Sequence, residues 1–147
     1  RKELTKCRIA YNKEIVSIEY IPYQIRPVSS LRLVKDNTIE YSWKTTNRET
    51  INRLFASRQK YDDILIVKND LITDTSICNV AFSDGNRWKT PEKPLLKGTQ
   101  REYLLRRGTI QEARISTDDI SKYKHISLFN AMIGFGEIIL PITSINI

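Results

Sequence analysis

Of the 147 residues only two are cysteine, five glycine, five proline and one each methionine and histidine. Two cysteines cannot build a disulfide framework, and Cys7 and Cys78 lack metal-ligand spacing. Both lie in apolar strand patterns, where buried free thiols and a reducing cytoplasm are the expected setting. His125 has no Cys or His close by in sequence, so it is read as an ordinary strand residue, not a metal ligand. No apolar run approaches the length of a membrane-spanning helix. The longest, Ile133 to Leu140, is interrupted by Glu137 and two glycines. Acidic residues are the scarcer charge, 17 against 24 basic, for a net +7. The basic residues are scattered, and no short basic segment is interleaved with aromatics, which argues against a nucleic-acid partner. The surplus suits an anionic small molecule or an acidic surface.

What is present is ordinary globular material: 40% hydrophobic and 28% charged residues, enough for one domain or slightly more. Residues 5–11 and 15–21 alternate and read as a hairpin. Pro22 and Pro27 bracket an extended linker. Strands are expected at 30–35 and 38–43, then a helix capped by Thr46 or Asn47 with an Ile51, Leu54, Phe55 stripe. Strands at 62–67 and 71–83 follow, with a short one at 88–90 that stops at Pro91. A helix opens at Gly98 and ends at Gly108. A strand over 109–115, a short helix after Ser116, a strand over 124–129 and a last strand over 135–145 broken by Pro141 complete the pattern. Strands outnumber helices, which predicts an α+β or barrel-like domain. Arg1 stands where a Met would open a chain, and a strand pattern begins almost at once. We therefore expect an N-terminal piece outside this sequence.

Chemistry gathers in Ile72 to Phe82. Thr73, Asp74, Thr75, Ser76 and Asn79 put a carboxylate, three hydroxyls and an amide into seven residues of an otherwise apolar strand. Two readings stand. Asp74 faces a bound cation, since a buried carboxylate needs one; or this is a solvated strand end built of turn formers. Three further features join it: Lys44 at a strand end, Gly98-Thr99-Gln100 at a helix N terminus that favours phosphate, and a small polar turn at Asn130-Ala131. A lysine, a carboxylate and a phosphate cradle are the needs of pyridoxal phosphate.

The order and spacing of these segments resemble the class IV aminotransferases, the fold-type IV enzymes dependent on pyridoxal phosphate, over roughly Lys44 to Pro141. Lys44-Thr-Thr-Asn47-Arg48 is similar to the family's Lys-x-x-Asn-(Arg/Tyr) segment around the Schiff-base lysine. Thr73-Asp74-Thr-Ser-Ile-Cys-Asn79-Val80 resembles Thr-Glu-x-x-x-x-Asn-(Val/Ile), whose acid pairs with the pyridine nitrogen. Thr90-Pro91 and Leu96-Lys-Gly98-Thr99-Gln100-Arg101 resemble Thr-Pro and Leu-Pro-Gly-Ile-Thr-Arg, the phosphate loop. Asn130-Ala131 lies where a second phosphate turn falls. Asp74 is one methylene shorter than the usual Glu, and Thr99-Gln100 replaces Ile-Thr. The resemblance implies Lys44 as catalytic residue and Lys44, Asp74, Asn79, Gly98, Thr99, Gln100, Asn130 and Ala131 as the cofactor's contacts. It implies residues 27–147 as the large cofactor-binding domain, a barrel-like mixed sheet with short helices, and 1–26 as the tail of a smaller N-terminal α/β lobe. It further implies a homodimer acting on a small anionic, amino-acid-like substrate. Asn47-Arg48 leans to 4-amino-4-deoxychorismate lyase, with an amino-acid transaminase second and a binding protein with a degenerate site third.

Overall fold

A computed structural model describes residues 4–41 and 48–146. Its frame is two mixed sheets. One contains β3 (Leu31–Lys35), β4 (Asp63–Lys68), β5 (Leu71–Ile72) and β11 (Ile145–Asn146), in the order β11-β3-β4-β5. The other contains β6 (Asn79–Ser83), β7 (Trp88–Pro91), β8 (Gln111–Ala113), β9 (His125–Phe129) and β10 (Ile138–Pro141), in the order β10-β9-β6-β7-β8. Strands β3 and β4 are parallel neighbours joined through α1 (Glu49–Ala56), while β6, β9 and β10 run antiparallel. The expected α+β class with mixed sheets and short helices is what the chain adopts.

Period-two alternation sorts the side chains between layers. Leu31, Leu65, Val67, Val80, Phe82, Ile126, Leu128 and Leu140 point inward from both sheets and form the main core. Each such side chain contributes about 1.5–3 kcal/mol on burial. Val34, Ile64 and Ile66 face outward and are covered by Ile51 of α1. Ala81 and Phe129, on the outer face of the other sheet, are covered by Leu104 of α2 (Thr99–Arg106). A separate ribbon, β1 (Thr5–Tyr11) with β2 (Ile15–Pro22), bears out the N-terminal hairpin. No helix among the described residues is long and apolar enough to cross a membrane.

Several expected elements differ: the strand expected over 109–115 is only Gln111–Ala113, and the last strand expected over 135–145 is Ile138–Pro141 and Ile145–Asn146 with a 3-10 turn at Ile142–Ser144 between them. Over 38–41 no strand forms; Asp36 caps Thr38 and the Ile39 carbonyl accepts Lys68 Nζ at 2.8 Å. This stretch belongs to the crossover between the parallel strands β3 and β4. Helix α1 starts from Arg48 without a side-chain cap; Thr46 and Asn47 lie outside the described residues. The strand expected over 71–83 is broken between Ile72 and Asn79. There Thr75 bonds its own loop, Cys78 N–H donating to Thr75 Oγ1 at 3.0 Å and Thr75 N–H to Cys78 O at 3.0 Å. Small hydroxyl side chains offer the backbone such local alternatives to a ladder. The short helix after Ser116 is a 3-10 helix, Thr117–Lys122, with the Ser116–Asp119 capping box.

Candidate active site

The break in that strand builds the site. Residues 73–78 pass from one sheet to the other, and their polar side chains turn inward. Thr73 Oγ1 donates to Ile66 O at 2.8 Å, and Ser76 Oγ to Asp63 Oδ2 at 3.0 Å. Asp63 is 1% exposed and pairs with Arg26 at 2.8 Å. Asp74 is 7% exposed, so the solvated strand end is excluded. Its oxygens accept the Leu95 and Leu96 N–H groups at 3.2 and 3.1 Å. Burial pushes its pKa up to about 7, against the two N–H bonds, the Arg101 charge and a hydrogen bond from the Asn79 side chain, which pull it down. Among the described residues no ion pair involves Asp74. Burial likewise pushes the Cys78 thiol up to about 12, with Asp63 adding to the shift.

Asn79 opens β6 on the face that α2 covers. Its Nδ2 donates to Leu96 O at 2.8 Å and its Oδ1 accepts Gly98 N–H at 3.2 Å. Gly98 is the N-cap of α2, and a Cβ there would stand 2.5 Å from Asn79 Oδ1. Only glycine fits this approach. Thr99 and Gln100 follow in the first turn, whose N–H groups have no intrahelical acceptors. Asn130 meets the loop from the other side. Its Nδ2 donates to Ile77 O at 3.1 Å, while its Oδ1 accepts Met132 and Ile133 N–H at 2.8 Å each. Ala131 is exposed within that turn.

Lys44 lies outside the described residues. The residues flanking its segment come together at the same loop: Arg48 donates through Nη2 to Ser76 O, and its guanidinium lies 5.9 Å from the Tyr41 ring centre. Loop 73–79 thus collects Asp74, Asn79, the Gly98 helix start, the Asn130 turn and Arg48. Arg26 and Asp63 went unassigned in the sequence, and Arg48 entered only as part of a motif. Arg26 lies in a proline-bracketed linker with no local sign of its partner, and Asp63 opens an apolar strand as an ordinary turn residue would.

The family profile described as amino-transferase class IV matches residues 12–145. The chain belongs to this family. A Haemophilus influenzae relative, an uncharacterized protein, is 46% identical over 91% of this chain and 71% of its own length. A Schizosaccharomyces pombe relative provisionally named aminodeoxychorismate lyase is 29% identical over 79% of this chain and 58% of its own. A crystal structure from Haemophilus somnus 129pt, provisionally named 4-amino-4-deoxychorismate lyase, is 38% identical with a TM-score of 0.86, over 91% of this chain and 69% of that one.

Class IV aminotransferases use pyridoxal phosphate. The residues present fit that group. Asp74 is a buried carboxylate held by N–H dipoles without an ion-pair partner among the described residues, an arrangement that a protonated ring nitrogen completes. The first turn of α2 that follows Gly98 carries N–H groups without intrahelical acceptors, where a phosphate is favoured.

Proposed function

We propose that the chain is the cofactor-binding part of a pyridoxal-phosphate-dependent enzyme that eliminates pyruvate from a small anionic substrate of the 4-amino-4-deoxychorismate type. The observation that carries this is the convergence of three motif segments, distant in sequence, on the loop that buries Asp74. The relatives provisionally named as lyases and the Asn47-Arg48 pair support the lyase over a transaminase. Bound cofactor supplies an electron sink for negative charge developing at the substrate Cα. Lys44 would hold the cofactor and carry the proton at the substrate Cα. Asp74 keeps the ring nitrogen protonated. The backbone at Gly98, Thr99 and Gln100, and at Asn130 and Ala131, holds the phosphate. Asn79 serves the cofactor through the loop it binds. We further infer a cytoplasmic homodimer, with substrate selection shared by polypeptide beyond residues 27–147.

The test is spectroscopic and then catalytic. Full-length protein with pyridoxal phosphate is expected to show a visible absorption band that Lys44→Ala lacks; a band that persists in the variant moves the attachment elsewhere. Pyruvate released from aminodeoxychorismate without a keto-acid acceptor supports the lyase. Turnover only when an acceptor is added assigns an amino-acid transaminase.

A further inference from the structure

The Asp74 carboxylate and the Asn79 amide both face the polypeptide that leads into α2. Between them they make four hydrogen bonds to the backbone of three residues within 95–98: Leu95 N–H, Leu96 N–H, Leu96 O and Gly98 N–H. Donor and acceptor types match, and the Asp74 carboxylate keeps acceptor capacity for a further partner. A carboxylate can only accept, and it meets two N–H groups; an amide does both, and it meets one carbonyl and one N–H. Both side chains are buried and both belong to framed positions, Asn79 within a central strand and Asp74 through its carbonyl, which accepts Ile66 N–H at 2.8 Å. The other end of this lead-in is pinned as well. Arg101 is 2% exposed and donates to Pro91 O at 3.2 Å and to Glu112 at 2.7 Å, while Thr90 Oγ1 donates to Val80 O at 2.7 Å.

We propose that Asp74 and Asn79 are positioning residues that pre-form the phosphate cradle, Asp74 through its charge and Asn79 through its amide, before any cofactor arrives. This rests on the proposed cofactor only for what the cradle holds. The shape of residues 95–98 is then controlled from position 74, so the group that would meet the ring nitrogen also sets the grip on the phosphate. It also gives a reason for the shorter acid: Asp74 reaches backbone that the lead-in between β7 and α2 brings to it.

Ionised Asp74 accepts both N–H groups more strongly than the neutral acid does. The charged or titratable groups around it among the described residues are Arg101 from α2 and Cys78 from its own loop, whose thiol is pushed up to about 12; Asn79 is neutral. Between about pH 5 and about pH 9 Asp74 therefore titrates alone in that group.

The experiment is amide hydrogen exchange, read by NMR on the purified cofactor-free chain across that pH range. Protection factors at Leu95 and Leu96 are divided by that of Ile66, whose partner is the backbone of the same residue 74. The ratio is expected to rise roughly tenfold or more as pH increases through about 7, and to stay at its low value in Asp74→Asn. Asn79→Ala is expected to lower protection at Gly98 and to weaken binding of inorganic phosphate. A ratio that is flat with pH in the wild-type chain overturns the proposal, and that measurement needs no variant to fold. A ratio unchanged in Asp74→Asn overturns it as well. Failure of the cofactor assignment reads differently, as no visible band with pyridoxal phosphate while the exchange pattern stands.

Discussion

Adding one methyl group at Gly98 tests the fit between α2 and the sheet directly. In Gly98→Ala the new Cβ would stand 2.5 Å from Asn79 Oδ1, nearly an ångström inside normal contact. The backbone itself does not object, because φ is −70° and ψ 159°, which alanine adopts freely. Absent the clash, such a replacement stabilises by about 0.4–1 kcal/mol through the unfolded chain. With the clash, Asn79 must swing away and give up its bonds to Gly98 N–H and Leu96 O. Each is worth about 0.5–1.5 kcal/mol, with more at stake where a buried partner is left unmet. The net expected cost is about 2 kcal/mol. Urea unfolding of wild type, Gly98→Ala, Asn79→Ala and the double variant measures the coupling. In the Asn79→Ala background the methyl has room, so Gly98→Ala should there be neutral or slightly stabilising, a coupling of about 2 kcal/mol. An equal cost in both backgrounds refutes the reasoning.

Three further outcomes follow from the same geometry. Asp74 holds its proton in the folded chain up to about 7 and loses it near 3.8 when unfolded, so the folded state binds the extra proton between these values. Stability should therefore fall as pH rises through that window, by at most roughly 4 kcal/mol, and Asp74→Ala should flatten the fall in pH-dependent urea titrations. Arg26→Ala leaves Asp63 buried with only neutral partners. Because Arg26 is 40% exposed, the cost should be about 2 kcal/mol, below that for breaking a fully buried pair, read from the unfolding midpoint. Asp119, held down to about 2 chiefly by the Ser116 N–H, keeps its bonds at neutral pH and loses them as pH falls through that value. Ser116→Ala should cost about 1 kcal/mol in the same assay.

Much of this was legible in the residues, for a local reason. The runs at 62–67 and 79–83 read as strands from their apolar residues alone, and the structure then sorts Leu65, Val67, Val80 and Phe82 to one face and Ile64, Ile66 and Ala81 to the other. The Ser116–Asp119 cap and the helix end at Gly108, with φ of +73°, are likewise short-range features. What escaped notice is long-range or competitive. Arg26 and Asp63 are 37 residues apart, and nothing near either reveals the other. The break after Ile72 depends on Thr75 bonding its own loop, against a sequence that scores as continuous strand. Asn79, which family resemblance marks for the cofactor, has both ends of its amide engaged by residues 96 and 98. The resemblance marks the segment, and only packing shows which neighbours the Asn79 side chain meets.

Residues 73–78 are one of two passages, with residues 142–144, by which the chain steps between the two sheets among the described elements. A molecule gripped by this passage, by the start of α2 and by the Asn130 turn would act as a rivet across the seam of the β-frame. Heat would then have to shear the two halves apart against that rivet, so occupancy should register in the melting of the whole body and not merely of one loop. A melting-temperature screen of small phosphorylated heterocycles could on that account find ligands before any reaction is known.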